Sequence, residues 1–162
     1  MVGERLISVF IGFGGTKAEG VAVELKKFLN GEDIIEPFLA SPQSNSLPAN
    51  TPNFSTMINQ ELKKCDIAVF VCHKNTPNSP PIKKEINFLY SKGKKNRIIP
   101  FAASDNCLPR RLRGKRWRPL HFPPEKAEES FPRLLNNIYR SYIELTLKPT
   151  GIVSENAPMV RQ

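Results

Sequence analysis

Glu85 stands where a carboxylate is least expected and most useful. Ile82, Ile86 and Leu89 recur at i, i+4 and i+7, the spacing of one buried helical stripe. Glu85 lies three residues after Ile82 and four before Leu89, on that same stripe, while Lys83 and Lys84 point elsewhere. A carboxylate on the apolar side of a helix is costly to desolvate unless it borders a cleft or finds a partner. Two readings stand: a catalytic group at the edge of a cleft, or a stripe-edge glutamate paired with a lysine.

A second unusual cluster is Gly12-Phe13-Gly14-Gly15. Lys17 occupies the place where the dinucleotide fingerprint needs its third glycine, and the spacing is not that of a Walker A loop. The cluster is either a tight strand-to-helix turn or a place where the backbone closely approaches a phosphate or sugar, with Phe13 as a stacking face. His73 and His121 are the two histidines, and neither has a cysteine or carboxylate at metal-ligand spacing. Both read as structural, and no metal site is expected.

The net charge of +9 is local. Between Lys92 and Arg118 ten basic residues face one acid, Asp105, and the rest of the chain is balanced. From Arg110 to Arg118 the cations surround Trp117, as in a nucleic-acid patch. The other reading is a solvated basic loop that meets an acidic protein partner or a polyphosphate.

Strand-like and helix-like segments alternate, the pattern of βαβ units and a parallel sheet. Residues 6–11 form a first strand ending at the glycines, and 17–29 a helix with Val21, Leu25, Phe28 and Leu29 on one stripe. Residues 34–40 form a second strand, placed at a sheet edge by Pro37. Residues 41–53 make a loop rich in Pro, Ser and Asn, long enough to be suspected of function. A helix over 54–64 follows, its start signalled by Thr51-Pro52 or Asn53. The most apolar strand, 66–72, belongs at the sheet centre with both faces covered. Ser79 is the N-cap of the helix carrying Glu85, from residue 80 to about 92 and ending at Gly93. Residues 97–102 are a fourth strand, 117–122 a short fifth, and 131–147 a last helix. Residues 1–147 thus read as one domain, and 148–162 as a tail or linker.

With a flavodoxin-like strand order the first and third strands are neighbours. Ligands in such sheets bind beyond the carboxyl ends of the strands, where the order reverses. The glycine cluster and the loop leading to Glu85 then converge on one crevice. The longest apolar run, 67–72, is too short to span a bilayer, and the first residues lack a signal-peptide pattern. Cys65, Cys72 and Cys107 are odd in number and unpaired in spacing, as thiols in a reducing compartment are. A cytoplasmic domain, with no membrane partner, is expected.

Five segments in order, ISVFIGFG at 7–14, CDIAVFVC at 65–72, SPPIKKEINFL at 79–89, RIIPF at 97–101 and Leu108-Pro109 followed by Leu112, resemble the successive motifs of a TIR (Toll/interleukin-1 receptor) domain. The resemblance runs over roughly residues 5–145. It implies a flavodoxin-like three-layer α/β fold with a central parallel sheet of about five strands. Many TIR domains hydrolyse NAD or cyclise its ADP-ribose part, in defence or cell-death signalling, and their catalytic glutamate corresponds to Glu85. Their substrate cleft is lined by the loop after the first strand, here Gly12, Phe13 and Gly14, and by the loop after the second, which starts at Ser41. Two positions depart from the common pattern: Pro81, where an aromatic often stands, and Gly12-Phe13-Gly14 in place of a Ser-Tyr/Phe-Arg type motif.

The resemblance further implies NAD as substrate with no cofactor, and self-association with other TIR domains, the loop after the second strand being ordered by a neighbouring subunit. Three other functions are open to such a chain: a non-catalytic TIR assembly module, a nucleoside deoxyribosyltransferase-like enzyme with the same fold and a glutamate, and a nucleic-acid binder. Glu85 favours an enzyme, since a scaffold has no need of a carboxylate on an apolar stripe. For the cations from Arg110 to Arg118, an acidic protein face or another copy of the domain is expected rather than nucleic acid. That stretch follows the fourth strand and is expected to lie away from the cleft.

Overall fold

β-Branched and aromatic residues build the sheet of this chain. The computed structural model describes residues 6–41, 54–114 and 117–147. Among them five strands, β1 (Ile7–Gly14), β2 (Ile35–Leu39), β3 (Ile67–Cys72), β4 (Ile98–Ala102) and β5 (Leu120–His121), pair in parallel in the order β2-β1-β3-β4-β5. The helices are α1 (Thr16–Asn30), α2 (Phe54–Lys64), α3 (Pro80–Ser91) and α4 (Phe131–Leu147). This is the expected flavodoxin-like α/β fold, with β2 at an edge and β3 at the centre.

Period-two alternation divides the strands between two cores. Ile67, Val69 and Val71 of β3 join Val9, Ile11 and Phe101 under α1 and α4, which contribute Leu25, Leu29, Leu134 and Ile138. On the other face Ala68, Phe70 and Cys72 join Phe10 and Ala102 under α2 and α3, with Leu62, Ile82, Ile86 and Leu89. All six residues of β3 are buried, as a strand covered on both faces must be. Asp66 fastens the start of β3 to β1: its Oδ2 accepts from the Ser8 amide at 2.9 Å, and its own amide donates to the Ser8 carbonyl at 2.8 Å.

One boundary differs from expectation in a way that matters. The glycine cluster does not follow the first strand but completes it. Gly12, Phe13 and Gly14 are the last residues of β1, in register with Phe70, Val71 and Cys72. The ladder to β3 supplies the backbone bonds that keep these residues extended. β5 in turn is only two residues long, within the span expected for it. The loop from residue 42 to 53, Lys115, Arg116 and the tail 148–162 lie outside the described residues. No described helix is long and apolar enough to cross a membrane.

Candidate active site

The connection β1–α1–β2 turns one way along the sheet and α2–β3–α3–β4 the other, so the order reverses between β1 and β3. Gly12 and Gly14 share the face of Phe10, toward α2 and α3, and the side chains of that layer press against their backbone. A Cβ on Gly12 would lie 2.6 Å from the Phe70 ring and 2.8 Å from Glu85 Oε1. A Cβ on Gly14 would lie 2.8 Å from Ser79 Cβ and 3.1 Å from Thr76 Cγ2. The glycines are there because α3 brings its first turns onto the strand.

Glu85 projects from the second turn of α3 with only 8% of its surface exposed, flanked by buried Ile82, Ile86 and Leu89. Among the described residues its Oε1 has no hydrogen-bond partner. The stripe-edge pairing with a lysine is therefore not the arrangement found. Burial pushes its pKa up to about 8, because the anion is deprived of water. A carboxyl that titrates near neutrality beside a sheet's reversal point has the character of a functional group.

A threonine latches the two strand ends together. Thr76, fully buried in the 3-10 turn Thr76–Asn78, donates its hydroxyl to the Gly14 carbonyl at 2.5 Å and accepts the His73 amide at 2.7 Å. Next to it Gly15 adopts φ +97°, and a Cβ there would approach the Lys74 carbonyl to 2.9 Å. Thr76→Val keeps the shape but orphans a buried N–H and a buried carbonyl. It is expected to lower stability by about 2 kcal/mol, and Thr76→Ser by clearly less, in denaturant titrations.

The structure thus gathers Gly12, Gly14 and Glu85. Phe13 is not with them: by alternation it faces the α1 side and packs, partly buried, on that core. As a strand residue it points away from Glu85, so it cannot stack in a crevice on the opposite face of the sheet. Ser41 is buried just beyond β2, its amide donating to the Leu39 carbonyl at 2.7 Å, next to the Ala40 amide bonded to Ile11. Ser79 precedes α3 as expected, yet its side chain makes no capping bond and lies against Gly14 instead. Phe70 and Thr76 were not singled out from the sequence, and Ser79 was read only as the N-cap of α3. Only the period-two register of β3 and the Thr-Pro and Ser-Pro turn signals pointed toward them.

His73 is buried, its Nδ1 accepting the Lys74 amide at 2.8 Å, and its ring lies 5.8 Å from that of Phe122. Exposed His121 pairs with Asp105 at 2.8 Å. Burial raises the Cys65 thiol to about 11 and pushes Cys72 well above its usual range, so neither is a ready nucleophile.

The profile of the TIR domain family matches residues 9–135. The chain belongs to the TIR domain family. A crystal structure described as that of a prokaryotic SEFIR domain shares the fold, with a TM-score of 0.62 at 16% identity over 82% of this chain and 99% of that one. No curated protein matches the chain. The TIR family is a signalling family that includes NAD-cleaving members.

Proposed function

We propose that this TIR domain cleaves the nicotinamide–ribose bond of NAD, with Glu85 as the catalytic carboxylate. The observation that carries the proposal is the buried Glu85 Oε1, without a hydrogen-bond partner among the described residues, against the backbone of Gly12 at the β1/β3 reversal point. An unpaired buried carboxyl destabilises a fold, and a module that only assembles gains nothing from it.

Cleavage breaks the bond between ribose C1′ and the nicotinamide ring nitrogen, whose electron pair leaves with neutral nicotinamide. Positive charge develops on the ribose as an oxocarbenium-like centre, and a nearby carboxylate stabilises that charge. In hydrolysis water adds at C1′ and releases a proton; in cyclisation a nitrogen of the adenine ring adds instead. NAD is the substrate in either case, and no cofactor is invoked. The cationic nicotinamide ring favours the ionised form of Glu85 as NAD enters, so the site charges when it is filled. In this reading Gly12 and Gly14 serve by letting α3 bring Glu85 close against the end of β1, and Ser41, just beyond the neighbouring strand β2, contributes to the substrate cleft.

The test is incubation of the purified chain with NAD and chromatographic separation of the products. Nicotinamide is expected in equal amount to ADP-ribose or its cyclic form. NAD that survives prolonged incubation, with the chain at high concentration, would refute the assignment.

The same ionisation leaves a mark on stability. Glu85 has a folded pKa of about 8 against an ordinary 4.5. Between these values unfolding releases a proton, so stability is full below the lower one and falls as pH rises toward the upper. From pH 5 to pH 8 the parent is expected to lose stability relative to Glu85→Gln by an amount of order 3 kcal/mol. Parallel denaturant titrations of the two proteins over that range read it directly. Curves that stay parallel would mean that Glu85 is not held protonated by the fold.

A further inference from the structure

Beyond the carboxyl ends of β3 and β4 lies a cleft of about 440 Å³ that takes in none of Gly12, Gly14, Ser41 and Glu85. One rim is the turn from His73 to Asn78 after β3, the other the turn from Ala103 to Cys107 after β4, and Pro124 completes it. Both rims are held by their own backbone: the Thr76 amide donates to the His73 carbonyl, and the Cys107 amide to the Ser104 carbonyl, each at 3.1 Å. The Ala103 amide, donating to the Cys72 carbonyl at 3.0 Å, ties one rim to the other. A cleft built in this way is preformed, and a ligand entering it meets little cost of ordering.

Only one nitrogen of the His73 ring is taken up by the fold. Nδ1 accepts the Lys74 amide at 2.8 Å, which leaves the proton of the neutral ring on Nε2. His73 is only 8% exposed, yet among the described residues Nε2 has no hydrogen-bond partner, and the residue lines the cleft. Lys74 beside it is exposed and forms no ion pair among the described residues. No described Asp or Glu lines the cleft, and Asp105, on the rim turn, is held by His121 at 2.8 Å. Donors without a facing carboxylate select an anion. The carboxamides of Asn75, Asn78 and Asn106 both donate and accept, as the hydroxyls of a sugar require, and Pro77, Ala103 and Pro124 add apolar wall. The volume falls within the range of about 300–1,000 Å³ of sites that hold whole small molecules, so a phosphate leaves room for the body that bears it.

We propose that this cleft binds a ribose phosphate monoester, as a free sugar phosphate or a mononucleotide, with the phosphate on His73 Nε2 and the Lys74 ammonium and the sugar hydroxyls among the asparagines. It is a second site and not an extension of the crevice at Glu85. The His73 ring lies 5.8 Å from that of Phe122, in the core under α1 and α4, and Ala103 packs on the same core. Glu85 projects from α3, on the other face of the sheet. The inference therefore stands whether or not NAD is cleaved.

Titration of the whole chain with ribose 5-phosphate, adenosine 5′-monophosphate, inorganic phosphate and adenosine tests it, read by calorimetry and by the imidazole NMR signals of the two histidines. None of these probes carries nicotinamide, so the result is independent of NAD cleavage. At least one ester is expected to bind about tenfold or more tightly than inorganic phosphate or adenosine, and to move the His73 signals more than those of His121. The tighter of the two esters identifies the body as a sugar or a nucleoside. Lys74→Glu, at an exposed position, is expected to weaken that binding by about tenfold or more, because a charge-assisted contact is replaced by repulsion. His73→Asn offers an oxygen to the Lys74 amide but no donor in the place of Nε2, and the same loss is expected. The thermal midpoint checks its fold, and Lys74→Glu decides alone if His73→Asn misfolds. Esters that bind no more tightly than phosphate or adenosine, His73 signals that stay in place, or parental affinity in Lys74→Glu would overturn the inference.

Discussion

Glu85→Gln is expected to abolish NAD cleavage, by about 10²-fold or more in kcat/KM, and to leave the fold intact. The amide keeps the size of the side chain and sits in the same pocket between Ile82, Ile86 and Leu89. It lacks the charge that answers the oxocarbenium-like centre, and only that difference bears on the rate. Because the parent carries an ionisable group in a dry site, the variant is expected to be at least as stable at neutral pH. Loss of activity with gain of stability is the signature of a functional group rather than a packing group. A Gln variant with parental turnover would remove Glu85 from the mechanism. A Gln variant that unfolds would show that the carboxyl holds the fold together.

Gly12→Ala is expected to be costly for a single methyl. The new Cβ meets the Phe70 ring at 2.6 Å and Glu85 Oε1 at 2.8 Å, and neither can withdraw freely from the core under α2 and α3. Overpacking of this kind costs about 2 kcal/mol. It also displaces the carboxylate, so turnover is expected to fall about as far as in Glu85→Gln. A second substitution separates the two effects. Phe70→Leu removes the ring from the contact and is expected to recover part of the stability in the double variant, while the methyl still touches Oε1 and activity stays low. Gly12→Ala with the stability and turnover of the parent would show that Gly12 does not shape the site.

The layers of the fold were legible because each rests on a local rule that nothing later overrides. The stripe of α4, the apolar run of β3 and Pro37 in an edge strand all appear where their patterns put them. Glu85 was legible for the same reason, as a charge where the helical period calls for an apolar residue. The glycines were harder to place. Glycine weakens strands, so Gly12-Phe13-Gly14 reads as a turn, and only the long-range approach of Phe70, Ser79 and Glu85 explains why it is strand. Extending β1 by those residues also fixes the parity of Phe13 and sends it to the other face. The packing of Arg111 on the Tyr90 ring was illegible because the two residues meet across twenty-one positions of sequence. The loop from 42 to 53 lies outside the described residues, and its role in completing the site remains a proposal.

The most direct test of Glu85 as the working carboxylate is the pH dependence of kcat/KM for NAD cleavage, which reports ionisations of the free enzyme. If the anion is the active form, kcat/KM rises with pH and levels off above about 8, the pKa to which burial brings Glu85. The residual activity of Glu85→Gln lacks that rise. A parent profile that is flat from pH 6 to pH 9, or a rise that persists unchanged in Glu85→Gln, would contradict the account.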